Sequence, residues 1–298
     1  MRVLVTGGAG FVGSNIVDAL DARGDLVVAL DDLSTGDRNN LAPDIAFRHA
    51  SVADEKQLFD AVHGEGFDVI VHCASKTKVV ESMEKEPLYR KVIVDGTRNV
   101  LALAEKVNVQ WFVNLSTGGA MYGETPSCAT ERTPAQPDSN YGKFKLEAEA
   151  LVAESDIPSI TLRLGNVYGP RQRKDLEGGV IAIFLGKWRE KKPITVFGDG
   201  SGERDYVYVS DIADAVTSSF SGKWTGMYNI GTGVATSVNT LIAEFEKLLG
   251  PAPGIEHAPA RPVELKRACV DPHKAEHDGL WKPKTALREG LRRTVELG

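Results

Sequence analysis

Val3-Leu4-Val5-Thr6-Gly7-Gly8-Ala9-Gly10-Phe11-Val12-Gly13 reads as a buried strand that runs through a glycine turn into a helix. Beyond the turn, Val12, Ile16, Val17 and Leu20 recur on one helical side. Each spaced glycine answers a physical need. Gly7 allows a sharp turn out of the strand, Gly10 leaves room for a pyrophosphate against the backbone, and Gly13 lets the helix lie close on the sheet. The helix start, at Phe11 and Val12, directs N–H groups and the positive end of its dipole at the phosphates. A second strand, Leu26 to Leu30, ends at Asp31-Asp32. Asp31 lies 18 residues after Gly13, where a carboxylate meets the adenosine ribose diol of a bound dinucleotide. A glycine triplet alone is weak evidence; strand, helix and acid together make a dinucleotide fingerprint.

The 298 residues suffice for one large or two modest domains. With 42% hydrophobic and 26% charged residues the composition is that of a soluble globular protein. A net charge of −6 argues against a general nucleic-acid binder, which carries a basic face. Cys73, Cys128 and Cys269 are odd in number and far apart, so the sequence predicts neither a disulfide framework nor a zinc site. His273 and His277 stand i,i+4 without an acidic or cysteine partner, and no metal is expected. The first strand begins at Arg2, which leaves no room for a signal peptide. No run approaches the ~18 apolar residues of a membrane-spanning helix. The expectation is a cytoplasmic protein with no membrane or nucleic-acid partner.

Strands alternate with helices through the first half. Further strands are read at 45–49, 68–73, 111–116 and 160–164, with helices at 54–62 (Asp54 as N-cap), 88–107 and 141–155. This alternation predicts an α/β protein: a doubly wound, Rossmann-type parallel sheet covered on both faces. The second half is less regular. Residues 165–173 read as a loop, 180–190 as a helix and 194–197 as a strand. A helix capped by Ser210-Asp211 runs to about Phe220, followed by a strand at 227–230, a helix at 237–249 and a last helix near 285–296.

Tyr141 and Lys145 share one face at the start of their helix. An isolated phenol ionises near pH 10. A neighbouring ammonium and the positive charge of an oxidised nicotinamide would favour the phenolate. Tyr141 is therefore a candidate acid/base for a hydroxyl beside a hydride-donating carbon.

These motifs, with Ser116-Thr117-Gly118-Gly119, Tyr122-Gly123, Asn166-Val167-Tyr168-Gly169-Pro170-Arg171-Gln172, the stretch 198–209 and Asn229-Ile230-Gly231-Thr232-Gly233, resemble the extended short-chain dehydrogenase/reductase family, over nearly the whole chain. Within it the likeness is to nucleotide-sugar 4-epimerases of the UDP-glucose (UDP-galactose) type. The resemblance implies NAD that stays bound and a UDP-hexose that passes through a transient 4-keto sugar. It casts Tyr141 as the group that takes the 4-hydroxyl proton, and Lys145 as the residue that holds the nicotinamide ribose and tunes Tyr141. It divides the chain into an NAD-binding domain, 1–165 with roughly 205–250, and a smaller interwoven C-terminal substrate domain, 166–204 with 251–298. It also implies a homodimer through the helices near 88–107 and 141–155.

The pattern is not followed everywhere. The family's usual Ser or Thr four residues before Tyr122-Gly123 is Gly118 here, so Thr117, with Ser116 second, is expected to supply the hydroxyl. The usual Gly-Asp after the third strand is Ala50-Ser51, which leaves Ser51 and Val52 to meet adenine. Cys73 and Ala74 belong to the same cofactor side. A usual cofactor-side Asn has become Ile93. Asp31 and Asp32 would repel a 2′-phosphate, which favours NAD over NADP. On the substrate side, Asn166, Arg204 and Arg261 match positions that hold the diphosphate, where guanidinium forks suit phosphate oxygens. Glu264 falls at the uridine ribose, and Ala268 stands where a bulky residue would exclude N-acetyl groups. UDP-N-acetylhexosamines are therefore a further candidate class. Lys76 and Lys78 lie in a loop near the expected sugar site. Arg173 matches the carboxylate-binding Arg of UDP-glucuronate 4-epimerases, which is the alternative reading. A dehydratase would need an Asp-Glu pair where Gly118-Gly119-Ala120 stands. A decarboxylase and a non-catalytic NAD-sensing module are the remaining alternatives.

Overall fold

The computed structural model describes residues 1–175, 179–260 and 265–297. Six strands form in its first half: β1 (Arg2–Thr6), β2 (Leu26–Asp31), β3 (Ala46–His49), β4 (Val69–His72), β5 (Trp111–Thr117) and β6 (Ser159–Leu164). Between them run α1 (Phe11–Ala22), α2 (Glu55–Ala61), α3 (Val79–Glu84), α4 (Glu86–Arg90), α5 (Gly96–Lys106) and α6 (Asn140–Glu154). The second half adds β7 (Asn166–Tyr168), β8 (Ile194–Phe197), β9 (Glu203–Tyr208), β10 (Gly226–Ile230), β11 (Ala235–Ser237), β12 (Ile255–Ala258) and β13 (Arg267–Ala268). Its helices are α7 (Val180–Arg189), α8 (Val209–Ser219), α9 (Val238–Leu249), α10 (His273–His277) and α11 (Leu287–Leu297).

A seven-stranded sheet runs β10-β6-β5-β4-β1-β2-β3, and every pairing in it is parallel. Apolar runs such as Val69–His72 are buried throughout because helices cover both faces. One face packs Ile16, Val17 and Leu20 of α1 against Val3, Val5 and Ile212. The other packs Leu58, Val100 and Leu103 against Leu4, Ile70 and Phe112. The order reverses at β1 and β4, and ligands of such sheets bind in the crevice at that switch point. Beside it, β9 pairs with β7, β11 and β13, and β8 pairs with β12.

Several local readings change. The helix expected over 88–107 is α4 and α5 joined by a π turn over Lys91–Asp95. Just beyond that turn, Thr97 Oγ1 donates to Ile93 O (2.6 Å) and is hydrogen-bonded to His72 Nε2 (3.1 Å). Asp54 does cap α2 and Ser237 caps α9, each accepting a backbone N–H. Ser210-Asp211 does not cap α8, which starts at Val209 without a side-chain cap. Asp211 is buried and accepts from Thr285 N (2.9 Å) and Thr285 Oγ1 (2.8 Å), which ties the C-terminal segment to α8. Residues 165–173 contain β7 where a loop is expected.

The cysteine expectation is also corrected. Cys128 and Cys269 form a disulfide, with Cα atoms 4.5 Å apart. Their 141-residue separation hides the contact. Ala129 N donates to Cys269 O (2.9 Å) and Asp271 N to Ala129 O (2.8 Å), which lays the two segments side by side. Among the described residues no helix is long and apolar enough to cross a membrane.

At the β1–α1 turn, a Cβ on Gly13 would lie 2.1 Å from Gly7 O. Helix and strand touch through backbone, and neither can give way. Gly13→Ala is expected to cost about 2 kcal/mol or more of unfolding free energy, measured by urea denaturation; an unchanged midpoint would contradict the close contact.

Candidate active site

The C-terminal strand ends open onto a cavity of about 1060 Å³, at the upper end of what a single small ligand occupies. Gly7, Gly10, Phe11, Val12 and Gly13 line one end, with Asp31, Asp32, Val52, Cys73 and Ala74. Gly7 has φ +66°, and a Cβ there would meet Ala74 N at 2.7 Å. The one atom within 4 Å of a Cβ at Gly10 is Gly7 O, at 3.2 Å, so a side chain at this position would stand in the crevice itself. Asp31 is buried and accepts from Ala9 N (3.1 Å) and Leu33 N (2.8 Å). Burial pushes its carboxyl up, against those two hydrogen bonds. Burial also acts to raise Asp32, but hydrogen bonds from Ser34 and Ser51 and the charge of Lys76 outweigh it and hold the carboxyl below its usual range. Ser51 is not on the cavity wall and reaches the crevice through Asp32, at 3.2 Å. Lys76 sits at this end, 3.2 Å from Ser34 Oγ, and not at the sugar end. A glycine cradle leading to two carboxylates fits an adenine dinucleotide with a free ribose diol.

The middle of the crevice is built by the end of β5 and the first two turns of α6. Ser139 caps α6, accepting from Gly142 N (3.1 Å), and Tyr141 N donates to Ser82 Oγ (3.1 Å). Burial pushes the Tyr141 phenol up to about 12, while its hydrogen bond with the Thr117 side chain acts the other way. Of the two candidate hydroxyls, therefore, it is Thr117 that meets Tyr141. Ser116 is on the cavity wall, but its hydroxyl donates to the Glu149 carboxylate. Lys145 is buried, with Nζ donating to Leu115 O (2.9 Å). Burial lowers its ammonium to about 8, and its electrostatic interactions with Cys73 and Glu149 oppose that fall. Gly118 also finds its reason, since a Cβ there would lie 2.3 Å from a methyl of Val270.

Glu149, Arg163 and His72 are not singled out by sequence. Arg163 Nη2 and Nε grip the buried Glu149 carboxylate (2.6 and 3.0 Å). The Arg163 guanidinium also lies over the Tyr122 ring, 5.0 Å from its centroid, and Tyr122 OH donates to Asn229 Oδ1 (2.7 Å). His72 is hydrogen-bonded to Thr6 (2.7 Å) and Thr97 (3.1 Å), and burial, with Lys145 nearby, lowers it to about 3. The one available signal was a charged residue, Glu149, on the buried side of α6, one turn after Lys145.

At the far end Asn166 and Arg204 line the cavity. Arg204 Nη1 donates to Glu203 O (2.8 Å). Ala268 is buried opposite Arg204 in β13 and is not on the cavity wall. Arg173 lines the cavity near the β2 loop, donating to Thr35 O (3.1 Å) and pairing with Asp175 (2.6 Å). Arg261 and Glu264 lie outside the described residues. Among the described residues no cluster of His, Cys, Asp or Glu could hold a metal ion.

Residues 3–231 match the model of the NAD dependent epimerase/dehydratase family. The chain belongs to that family. As a member it uses NAD, which the glycine cradle and the Asp31–Asp32 pair fit. Over 99% of this chain and 98% of its own, the UDP-glucose 4-epimerase of Mycolicibacterium smegmatis is 36% identical. Among solved structures, the Thermus thermophilus UDP-glucose 4-epimerase in complex with NAD superposes with a TM-score of 0.94 at 37% identity, covering 99% of this chain and 98% of the other. The Thermotoga maritima UDP-glucose 4-epimerase with UDP-glucose gives 0.95 at 34%, covering 100% and 98%. An epimerase/dehydratase needs an acid/base that can both give and take a proton, and in the coenzyme-free protein Tyr141 is held as the neutral phenol. At pH 10, the midpoint of an ordinary tyrosine, the ultraviolet difference between wild type and Tyr141→Phe is expected to show no phenolate from Tyr141. Half-titration at or below that pH would contradict the environment described.

Proposed function

We propose that the protein is an NAD-dependent epimerase that inverts C4 of a UDP-hexose, interconverting UDP-glucose and UDP-galactose through a transient 4-keto sugar. The observation that carries this reading is the placing of Thr117, Tyr141 and Lys145 between a dinucleotide cradle and a basic, amide-bearing far end of one cavity. Full-length relatives named UDP-glucose 4-epimerase support it.

Bound NAD+ supplies a hydride acceptor whose reduced form returns the hydride, so the reaction is redox-neutral. The chain's residues do the rest. Gly7, Gly10, Phe11, Val12 and Gly13 hold the pyrophosphate, Asp31 and Asp32 the adenosine ribose, Val52, Cys73 and Ala74 wall that side, and Ser51 supports it through Asp32. Tyr141 takes the 4-hydroxyl proton and later gives it back. The Thr117 hydroxyl steadies the reacting oxygen through the same hydrogen-bonded pair. The positive charges of Lys145 and of the oxidised nicotinamide lower the cost of the phenolate that burial otherwise disfavours. Asn166 and Arg204 are read as holding the nucleotide diphosphate with Arg261, and Glu264 as meeting the uridine ribose, the last two from the segment outside the described residues, while Arg173 lies toward the adenosine side. Ala268 is buried behind Arg204 and off the cavity wall, so the extension to UDP-N-acetylhexosamines is supported by its place in the sequence pattern and not by cavity space.

The proposal includes the two-domain division given above, a cytoplasmic location, a place in galactose metabolism, and a homodimer through α4, α5 and α6. Exposed Met83 and Leu88, at 44% and 42%, lie beside that helix layer and support the last. Leu88→Glu is expected to halve the mass measured by sedimentation; an unchanged mass would place the contact elsewhere.

Incubation with UDP-glucose, UDP-N-acetylglucosamine and UDP-glucuronate, with product resolution, tests the reaction. UDP-glucose is expected to give UDP-galactose, and Tyr141→Phe to slow this by about 10²–10⁴-fold. Exclusive turnover of the uronate, or full activity in Tyr141→Phe, would overturn the reading.

A further inference from the structure

Three successive residues at the end of β5 are each bonded to a different residue of α6. Leu115 O accepts from Lys145 Nζ (2.9 Å). Ser116 Oγ donates to Glu149. The Thr117 side chain is hydrogen-bonded to Tyr141. Residues 141, 145 and 149 are spaced one helical turn apart, so one face of α6 is stitched to one strand end. The carboxylate of the middle stitch is also ion-paired, to Arg163 of β6. Glu149 is 8% exposed and Arg163 4%, and the guanidinium holds both carboxylate oxygens (3.0 and 2.6 Å).

The charges that face Lys145 come from every element packed on it. From β4 they are His72, neutral at ordinary pH, and Cys73, whose thiol burial pushes up to about 12. From α6 they are Tyr141, a neutral phenol in the coenzyme-free protein, and Glu149. Beyond β5, β6 brings Arg163, bound to Glu149. Glu149 is thus the carboxylate that answers the buried ammonium. A cation in so dry a place loses its proton readily unless an anion stands near.

We propose that Glu149 is a positioning residue for the reaction: it pins the end of β5 through Ser116, between the residues that hold Lys145 and Tyr141, and it is the buried counter-charge that keeps Lys145 an ammonium. Lys145 then acts on Tyr141 as a fixed positive field. The role of Lys145 rests on the epimerase reading; the charge relation between Glu149 and Lys145 does not.

The test is the titration of Lys145 in coenzyme-free protein, followed by NMR of 13C/15N-labelled lysine, with Lys145→Arg to assign the signal. Glu149→Gln is expected to raise the proton-dissociation constant of Lys145 about tenfold or more, one pH unit or more downward. Glu149→Asp, which keeps the charge, is expected to stay closer to wild type. In the working enzyme the alkaline limb of kcat moves down with it. If Glu149→Gln leaves Arg163 stranded and does not fold, the double variant Glu149→Gln/Arg163→Gln removes both charges. A downward shift is expected there too, because burial lowers the Lys145 ammonium and the Glu149 charge that opposes that fall is gone. An unchanged Lys145 titration in a folded variant, with only a lower melting temperature, overturns the proposal and leaves Glu149 a structural ion pair. A shifted titration without sugar turnover in wild type would support this proposal while contradicting the epimerase reading.

Discussion

A single buried ammonium governs the organisation of this protein. Lys145 carries its charge to a place with 6% exposure, where desolvation works to strip the proton. The strand end at Leu115 offers a carbonyl to it, and a carboxylate four residues along α6 offers a counter-charge. That arrangement exists because α6 lies across the ends of β5 and β6, which in turn depends on a parallel sheet buried on both faces. Tyr141 shares the same burial but has the opposite response. Its phenol becomes harder to ionise, so a fixed positive neighbour and a cationic coenzyme are what make proton removal feasible.

The two ends of the crevice follow different physics. The dinucleotide end is made of backbone. Its tolerances are set by glycines whose Cβ atoms would strike carbonyl oxygens or stand in the ligand's place, and by carboxylates held through backbone N–H groups. The far end is made of side chains, Asn166 and Arg204 among them, on strands that pair only with one another. Asp205 lies beneath them, accepting from Thr232 N (2.8 Å) and Val270 N (3.4 Å), and so links β9 to the turn after β10 and to the segment that carries the disulfide. Change of substrate among relatives would be accommodated by the second set, while the first stays fixed by packing.

What the sequence discloses is what is local. Gly7, Gly10, Gly13, Asp31, Tyr141 and Lys145 could be found because their meaning lies in spacing along one turn or one helix, and the sheet could be inferred because its strands are unbroken apolar runs. Glu149 and Arg163 escaped notice because a charged residue on a helix reads as solvated until its partner, from another strand, is known. Strand β9 was missed for a related reason: Glu203-Arg204-Asp205 looks like a surface loop, yet Asp205 is fully buried. The Cys128–Cys269 pairing and the release of Asp211 from a capping role are likewise contacts between distant segments. The π turn at Lys91–Asp95 has no spacing signature at all; it is visible only where Thr97 meets His72.

The most direct test of the central claim is the fate of the C4 hydrogen. UDP-glucose carrying deuterium at C4 would be converted to equilibrium in ordinary water and the product examined by NMR. The account predicts that UDP-galactose keeps the deuterium at C4, because the hydrogen leaves and returns as hydride while only the hydroxyl proton passes through Tyr141. Washout of deuterium into solvent at C4 would contradict it and indicate removal of that hydrogen as a proton.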